Sequence, residues 1–276
     1  MSTEWEIGRL DLGAYLERVG YRGDREPTGP TLAALHRAHV AAIAFENLDV
    51  ILGRGVSVDL GDVQAKLVGH GRGGYCYEHN VLFAAVLERL GYRVDRFLAR
   101  IGADHDRPRP RTHMTLHAHA PDGGQSWLAD VGFGGGLLDP LPWGDTGPHR
   151  QGGWTYQLIA QAGTWQVREH HNDGWAALYS FTEEPQHLSD VVMSNHFTST
   201  YPDSPFIAQI VVMGKDPGQR RRLIGRRLSV ARPNGAVHER ELSDPELADT
   251  LRNEFGLPLD GDEMARLVGS LPPVSG

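Results

Sequence analysis

The 276-residue sequence predicts an α+β protein in three parts. Helical periodicity fills residues 1–91, short β-prone runs separated by turns fill 92–185, and helices alternate with strands over 186–276. The 34 glycines and 17 prolines mark more turns than a helical bundle needs. With 40% hydrophobic and 22% charged residues the composition is that of a soluble globular chain, long enough for two or three cores.

In the first part, Asp11 stands before an apolar periodic run (Leu12, Tyr15, Leu16, Val19) and is expected to cap a helix ending near Gly20. After a Pro/Gly loop at 27–30, Thr31 is expected to cap a second helix carrying Leu32, Leu35, His36, Val40 and Ile43. A short helix is expected over 61–68. Asn80–Leu90 is apolar almost all round, as a buried helix is, and Gly91 supplies its stop.

The second part opens with β-prone residues 92–101 and a charged, proline-rich loop over 104–110. Strands at 111–120 and 125–131 flank the turn Pro121-Asp122-Gly123-Gly124, and further strands follow at 154–160, 165–170 and 175–181. Short strands with regular turns suit a small antiparallel barrel. In the third part a helix is expected over 186–195, a loop over 198–205, strands over 207–213, 222–231 and 236–242, and helices over 244–255 and 264–268, with Asp244 as the cap of the first.

Several function classes are set aside by composition. Twenty-seven basic and 35 acidic residues leave a net charge of −8, which argues against general nucleic-acid binding. The stretch Met1–Glu6 lacks the features of a signal peptide, and no apolar run is as long as a membrane span. A single cysteine forms no intrachain disulfide, which suits a reducing cytoplasm.

That cysteine sits in Arg72-Gly73-Gly74-Tyr75-Cys76-Tyr77-Glu78-His79-Asn80. The glycine pair lets the backbone turn tightly, and the following helix places Cys76 at or just before an N-terminus, where dipole and free N–H groups favour a thiolate. A nucleophilic thiol needs a base, and the base needs an acceptor to hold its ring. With 14 histidines in the chain, position must decide. If the hairpin turn centres on Gly123, facing residue numbers total about 245, so His113 lies opposite about Gly132 with Asp130 diagonally in reach. A lone carboxylate after Trp127 and Leu128 is out of place unless hydrogen-bonded.

The remaining candidates are read as structural. His36, His39 and His70 have no partner at ligand spacing and are read as solvated or structural, and Glu78 and His79 are expected to pack or cap. His113, His117 and His119 share a strand face, which could suggest zinc. Structural zinc normally wants four ligands with cysteine and only Cys76 exists, while a catalytic site would need three protein ligands, so no metal is expected and His117 and His119 are read as outward and solvated. The basic run Arg220, Arg221, Arg222, Arg226, Arg227 is read as a solvated turn and strand edge. Glu46 and Arg72, each a charge in an otherwise apolar or glycine-rich motif, are expected to form a buried ion pair, with Glu46→Gln costing on the order of 3 kcal/mol.

The 72–80 segment, Arg111-Thr112-His113 and Asp130-Val131-Gly132-Phe133-Gly134 together resemble the arylamine N-acetyltransferase family, and Phe45-Glu46-Asn47-Leu48 and residues 195–206 resemble two of its other segments. The resemblance spans nearly the whole chain in order. It implies a helical domain (1–91), a β-barrel domain (92–185) and an α/β lid (186–276), with a papain- or transglutaminase-like Cys76-His113-Asp130 centre. It also implies acetyl transfer from acetyl-CoA to arylamines, hydrazines or arylhydroxylamines through an acetyl-cysteine. Phe45, Phe133 and Phe206, with Thr112, would then line the acceptor pocket. No Gly-x-x-x-x-Gly-Lys-Ser/Thr loop is available for CoA phosphates, which leaves two candidates, the Gly134-Gly135-Gly136 loop with Gly132 before it, and the basic run Arg220 to Arg227. A homodimer is compatible with the sequence. A papain-like thiol hydrolase using the same triad, and a non-catalytic interaction protein, are the competing classes.

Overall fold

The computed structural model describes residues 3–102, 109–121, 123–161 and 163–272. Asp11 accepts from the Ala14 N–H and opens α1 (Leu12–Arg18), as expected. α2 (Gly29–Ala42) starts earlier than the sequence suggests: Thr28, not Thr31, is its cap, because Pro30 has no N–H to satisfy and fits the first turn. A two-residue strand β1 (Phe45–Glu46) and two short helices, α3 (Leu48–Ile51) and α4 (Leu60–Gln64, extended by a wide turn over Ala65–Gly69), lead to α5 (Cys76–Leu90). α5 is buried from Cys76 through Leu87 and ends at Gly91, whose φ of 101° is costly for any residue with a Cβ. It is the axis of the largest apolar core.

An eight-stranded sheet forms the middle of the chain: β2 (Arg93–Ile101), β3 (Arg111–His119), β4 (Ser126–Ala129), β5 (Leu141–Pro142), β6 (His149–Gln151), β7 (Trp154–Gln161), β8 (Thr164–His171) and β9 (Gly174–Phe181). Its order β5-β4-β3-β2-β9-β8-β7-β6 curls into a nearly closed antiparallel barrel around a second core that includes Phe97, Tyr156 and Tyr179. The β3–β4 register is the one the turn predicts: Leu116 faces Ala129 and Ala118 faces Trp127. The loop expected over 104–110 falls mostly outside the described residues, as does Asp122.

The last third corrects several expectations. α6 (Leu188–Thr200) runs further than expected, and α7 (Pro205–Ala208) occupies part of the expected loop. The strand expected over 207–213 is β10 (Val211–Lys215). The single strand expected over 222–231 is a hairpin, β11 (Arg220–Ile224) and β12 (Arg227–Ala231), folded at Gly225 with φ of 57°. β13 (Val237–Glu241), α8 (Asp244–Asp249) and α9 (Gly261–Gly269) complete the chain, α8 being capped by Ser243 rather than Asp244. β1 pairs with β10, so the N-terminal segment contributes an edge to the five-stranded sheet β1-β10-β11-β12-β13. Among the described residues no helix is long and apolar enough to cross a membrane.

Glu46 and Arg72 do meet, at 3.1 Å and buried, but Arg72 also reaches Asp49 at 3.4 Å and Glu263 at 3.2 Å. Arg72 thus joins β1, α3 and α9. His36 and His39 are buried, whereas His70 is exposed. Tyr15 donates to His39 Nδ1 (3.1 Å), His39 Nε2 to His79 Nδ1 (2.8 Å), and His79 Nε2 to the Gly74 carbonyl (3.0 Å). That relay is complete only with both rings neutral, and burial holds His79 down to about 4 and lowers His36 and His39 as well.

These lowered histidines contribute stability that is present above 6.5, their unfolded value, and is lost as pH falls, for His79 towards about 4. His79 contributes a slope of about 1.4 kcal/mol per pH unit in that window. Glu78, raised to about 7 by burial against the pull of Lys66, opposes one of them. Thermal melts should therefore show the melting temperature falling between pH 6.5 and about 5; a flat profile would contradict the buried neutral relay.

Candidate active site

Cys76 is the first residue of α5, and the helix is held there by a cap of its own making. Glu78 Oε2 accepts from the Tyr75 N–H (2.9 Å), and its Oε1 takes Lys66 Nζ (2.8 Å). Glu78 and His79 are thus structural, as expected.

β3 and β4 bring the other two candidates to Cys76. His113 Nε2 lies 2.6 Å from Asp130 Oδ2, and both side chains are buried. With Nε2 committed to Asp130, Nδ1 is the nitrogen left for the Cys76 sulfur, which lines the same cavity as His113. The Cys76 Sγ lies 3.7 Å from the Thr112 carbonyl. Burial pushes the His113 ring down, but the charge and hydrogen bond of Asp130, with Cys76 adding to them, raise it to about 10. Burial pushes Asp130 up, yet His113 and hydrogen bonds from Asn80 and Tyr179 hold its carboxyl below the usual range.

Asn80 is a residue whose role the sequence reading left undefined. One turn beyond Cys76 on the same face of α5, it donates to Asp130 Oδ1 (3.0 Å) and to the Met114 carbonyl (2.7 Å) and accepts from the Val131 N–H (3.3 Å). It therefore fixes helix and hairpin relative to each other. Its signal was an amide inside an otherwise apolar helix face. His36 Nε2 accepts from the Asp130 N–H (3.2 Å), a contact between distant elements that no local pattern announces.

A cavity of about 840 Å³ opens over Cys76 and His113. Phe45, Thr112, Gly132, Phe133 and Phe206 line it, and Phe133 meets the His113 ring edge-on at 5.2 Å. Phe45 and Phe206 lie 5.9 Å apart on one wall. The two glycines have local explanations. A Cβ on Gly132 would stand 2.7 Å from the Cys76 carbonyl, and one on Gly134, at φ of 76°, would stand 3.0 Å from Phe45. Gly135, rather than Gly134, faces the cavity.

The solvated reading of the basic run holds for Arg222 and Arg227, which are exposed, and is corrected at Arg220, Arg221 and Arg226. Arg220 and Arg222 line the same cavity, together with Arg109. Arg220 is held by Glu169 (2.9 Å) and donates to the Gly135 carbonyl (3.1 Å), a carbonyl that buried Lys215 also reaches at 3.1 Å. Arg221 turns away to the Glu254 carbonyl (2.7 Å), and buried Arg226 pairs with Asp244 (2.6 Å). β11 alternates its side chains between two environments, and hydrophilic composition hid that alternation.

The outward, solvated placement of His117 and His119 is likewise corrected. Both lie on the His113 face of β3, which turns into the barrel. His117 is only 7% exposed, stacks on Trp143 at 3.6 Å, and is pushed down to about 3 by burial and then by His119. His119 bonds Asp95 at 2.9 Å.

Comparison with known proteins shows the family. The family model described as N-acetyltransferase matches residues 29–264. The chain is similar to the arylamine N-acetyltransferase of Mycolicibacterium smegmatis, 38% identical over 263 residues that cover 93% of this chain and 95% of that one. Its fold is similar to the arylamine N-acetyltransferase of Nocardia farcinica, with TM-score 0.91, 37% identity and 97% of each chain covered. It is also similar to the Mycobacterium marinum arylamine N-acetyltransferase in complex with CoA, with TM-score 0.87, 36% identity, and 94% of this chain and 98% of that one covered. On sequence and fold together, the chain belongs to the arylamine N-acetyltransferase family and is an acyltransferase.

Proposed function

We propose that the protein moves the acetyl group of acetyl-CoA to arylamines, hydrazines or arylhydroxylamines through an acetyl-Cys76 thioester. The observation that carries this reading is the alignment of the lone cysteine, at the start of α5, with the His113–Asp130 pair beneath an aromatic-walled cavity. Likeness to relatives named for arylamine acetylation, and to one solved with CoA, supports the acceptor and the donor.

In a papain- or transglutaminase-like centre of this kind, the Cys76 thiolate attacks the thioester carbonyl. The bond from carbonyl to CoA sulfur breaks, and CoA leaves with a proton from the His113 imidazolium. The amine nitrogen then attacks acetyl-Cys76, His113 takes its proton, and the thiolate is restored as the amide departs. Asp130 holds the ring with Nδ1 towards the sulfur. Backbone N–H groups at the start of α5 serve the oxyanion. Phe45, Phe133 and Phe206, with Thr112, enclose the planar acceptor. Gly132 and Gly134 let the 132–136 segment approach the thiol side of the donor, while Arg220 and Arg222 give the cavity a cationic end suited to its phosphates. Residues 1–91 then carry the nucleophile, 92–185 the base and its partner, and 186–276 the lid. The lone cysteine and the net charge of −8 favour a cytoplasmic enzyme working on small molecules, apart from nucleic acid and membrane.

With acetyl-CoA and no amine, intact-mass spectrometry should show a single acetyl group on Cys76 and none on Cys76→Ser. Adding 4-aminobenzoate, hydralazine or aniline should discharge it with ping-pong kinetics, far faster than water does. No adduct, or equally fast discharge by water, would move a thiol hydrolase to first place.

A further inference from the structure

The far end of the barrel holds a cluster that the acetyl-transfer chemistry does not use. His113, His117 and His119 run along one face of β3, and Asp95 stands directly opposite His117 on β2. The cross-strand register thus gathers two imidazoles and a carboxylate on one side of the ladder. The potential ligand atoms of Asp95, His117 and His119 all lie within 4.8 Å of one another. His119 Nε2 is 2.9 Å from Asp95 Oδ2, and His117 Nε2 is 2.9 Å from Ser126 Oγ on β4.

We propose that Asp95, His117 and His119 form a binding site for a single divalent transition-metal ion of the zinc class, with Ser126 Oγ or water completing the coordination. Two imidazoles and one carboxylate are the ligand types of open tetrahedral zinc sites, and imidazole disfavours magnesium or calcium. Trp143 stacks on His117 at 3.6 Å, and Arg93 donates to both Asp95 oxygens, Oδ1 at 2.8 Å and Oδ2 at 2.7 Å, so metal binding shifts the exposed guanidinium off one of them. An entry path exists, because the His119 and Asp95 side chains are 21% and 22% exposed while His117 forms the floor. A bound ion would clip β2 to β3 at the end of the barrel away from His113. This departs from the expectation that no metal binds, which assumed outward histidines.

The test uses tag-free full-length protein stripped with chelator, then dialysed against micromolar Zn²⁺ or Co²⁺. One ion per chain should be retained, Co²⁺ should show tetrahedral ligand-field bands without a thiolate charge-transfer band, and Zn²⁺ but not Mg²⁺ should raise the melting temperature. Asp95→Asn and His119→Ala should each weaken affinity on the order of 100-fold or more, whereas Cys76→Ser should leave it unchanged. Should a variant fold poorly, Zn²⁺ should still protect His119 of the unaltered chain from diethylpyrocarbonate. Retention that survives both substitutions, retention lost in Cys76→Ser, or uptake only at millimolar metal would overturn the site. Acetylation of Cys76 is measured separately, so failure here leaves the transferase reading standing.

Discussion

Asp130→Asn should lower acetyl transfer by about four orders of magnitude while the chain stays folded. The asparagine oxygen can still accept from Asn80 and from the Gly132 N–H, both 3.0 Å from Asp130 Oδ1 now, so the hairpin keeps its local bonds. Its amide nitrogen, however, would face His113 Nε2, which must then accept. The proton moves to Nδ1, and the ring presents a donor to Cys76 where the reaction needs a base. The ring also loses the Asp130 charge that does most to raise it, leaving burial opposed by Cys76 alone.

A pH signature follows from the same geometry. A histidine raised in the folded state adds stability that is complete below 6.5 and lost as pH rises through about 10. The wild type should therefore lose melting temperature across that alkaline window, and Asp130→Asn should lose less. A variant with near wild-type turnover, or with an unaltered alkaline decline, would remove Asp130 from the role given to it.

How far the sequence reached is clearest at this hairpin. A turn centred on Gly123 sets the register of β3 and β4, which brings His113 and Asp130 to the same end of the hairpin, where they meet at 2.6 Å. Local chemistry also placed Cys76 at a helix start and Gly91 at its end. What it could not supply were pairings between distant elements. β2 closes on β9, β1 crosses to β10, and Asn80 and His36 converge on Asp130 only once the chain is folded. The two corrected histidines show the limit most plainly. His117 and His119 carry the period of a strand face, but period two does not say which face turns inward. Trp143, from beyond β5, decides it by covering His117. The arginines of β11 follow the same rule, since their polarity concealed an alternation between cavity and core edge.

The second large effect is expected in stability, and it lies with Arg72 rather than Glu46. Arg72→Met should cost about 3–5 kcal/mol, read from the urea midpoint at constant m-value. The substitution leaves Glu46, whose side chain is 0% exposed, with the Leu48 N–H at 2.6 Å as its hydrogen-bond donor and only the charge of Lys66 to balance its own. Its neighbours are better provided for: Asp49 keeps Lys66 at 2.7 Å, and Glu263 keeps Arg54 at 2.5 Å. Glu46→Gln is the milder change, because Arg72 retains two carboxylates and the glutamine oxygen can still accept from Leu48. Its cost should be about 1 kcal/mol, less than an isolated pair implies. The double variant should be more stable than the sum of the two losses predicts, because a neutral glutamine at position 46 strands no buried charge when Arg72 is gone. Activity should fall with Arg72→Met as well. The Glu46 N–H donates to the Gly74 carbonyl at 2.7 Å, so a displaced β1 shifts the loop that delivers Cys76 to α5. Equal destabilisation by the two single variants would show that Arg72 is not the shared centre of these carboxylates.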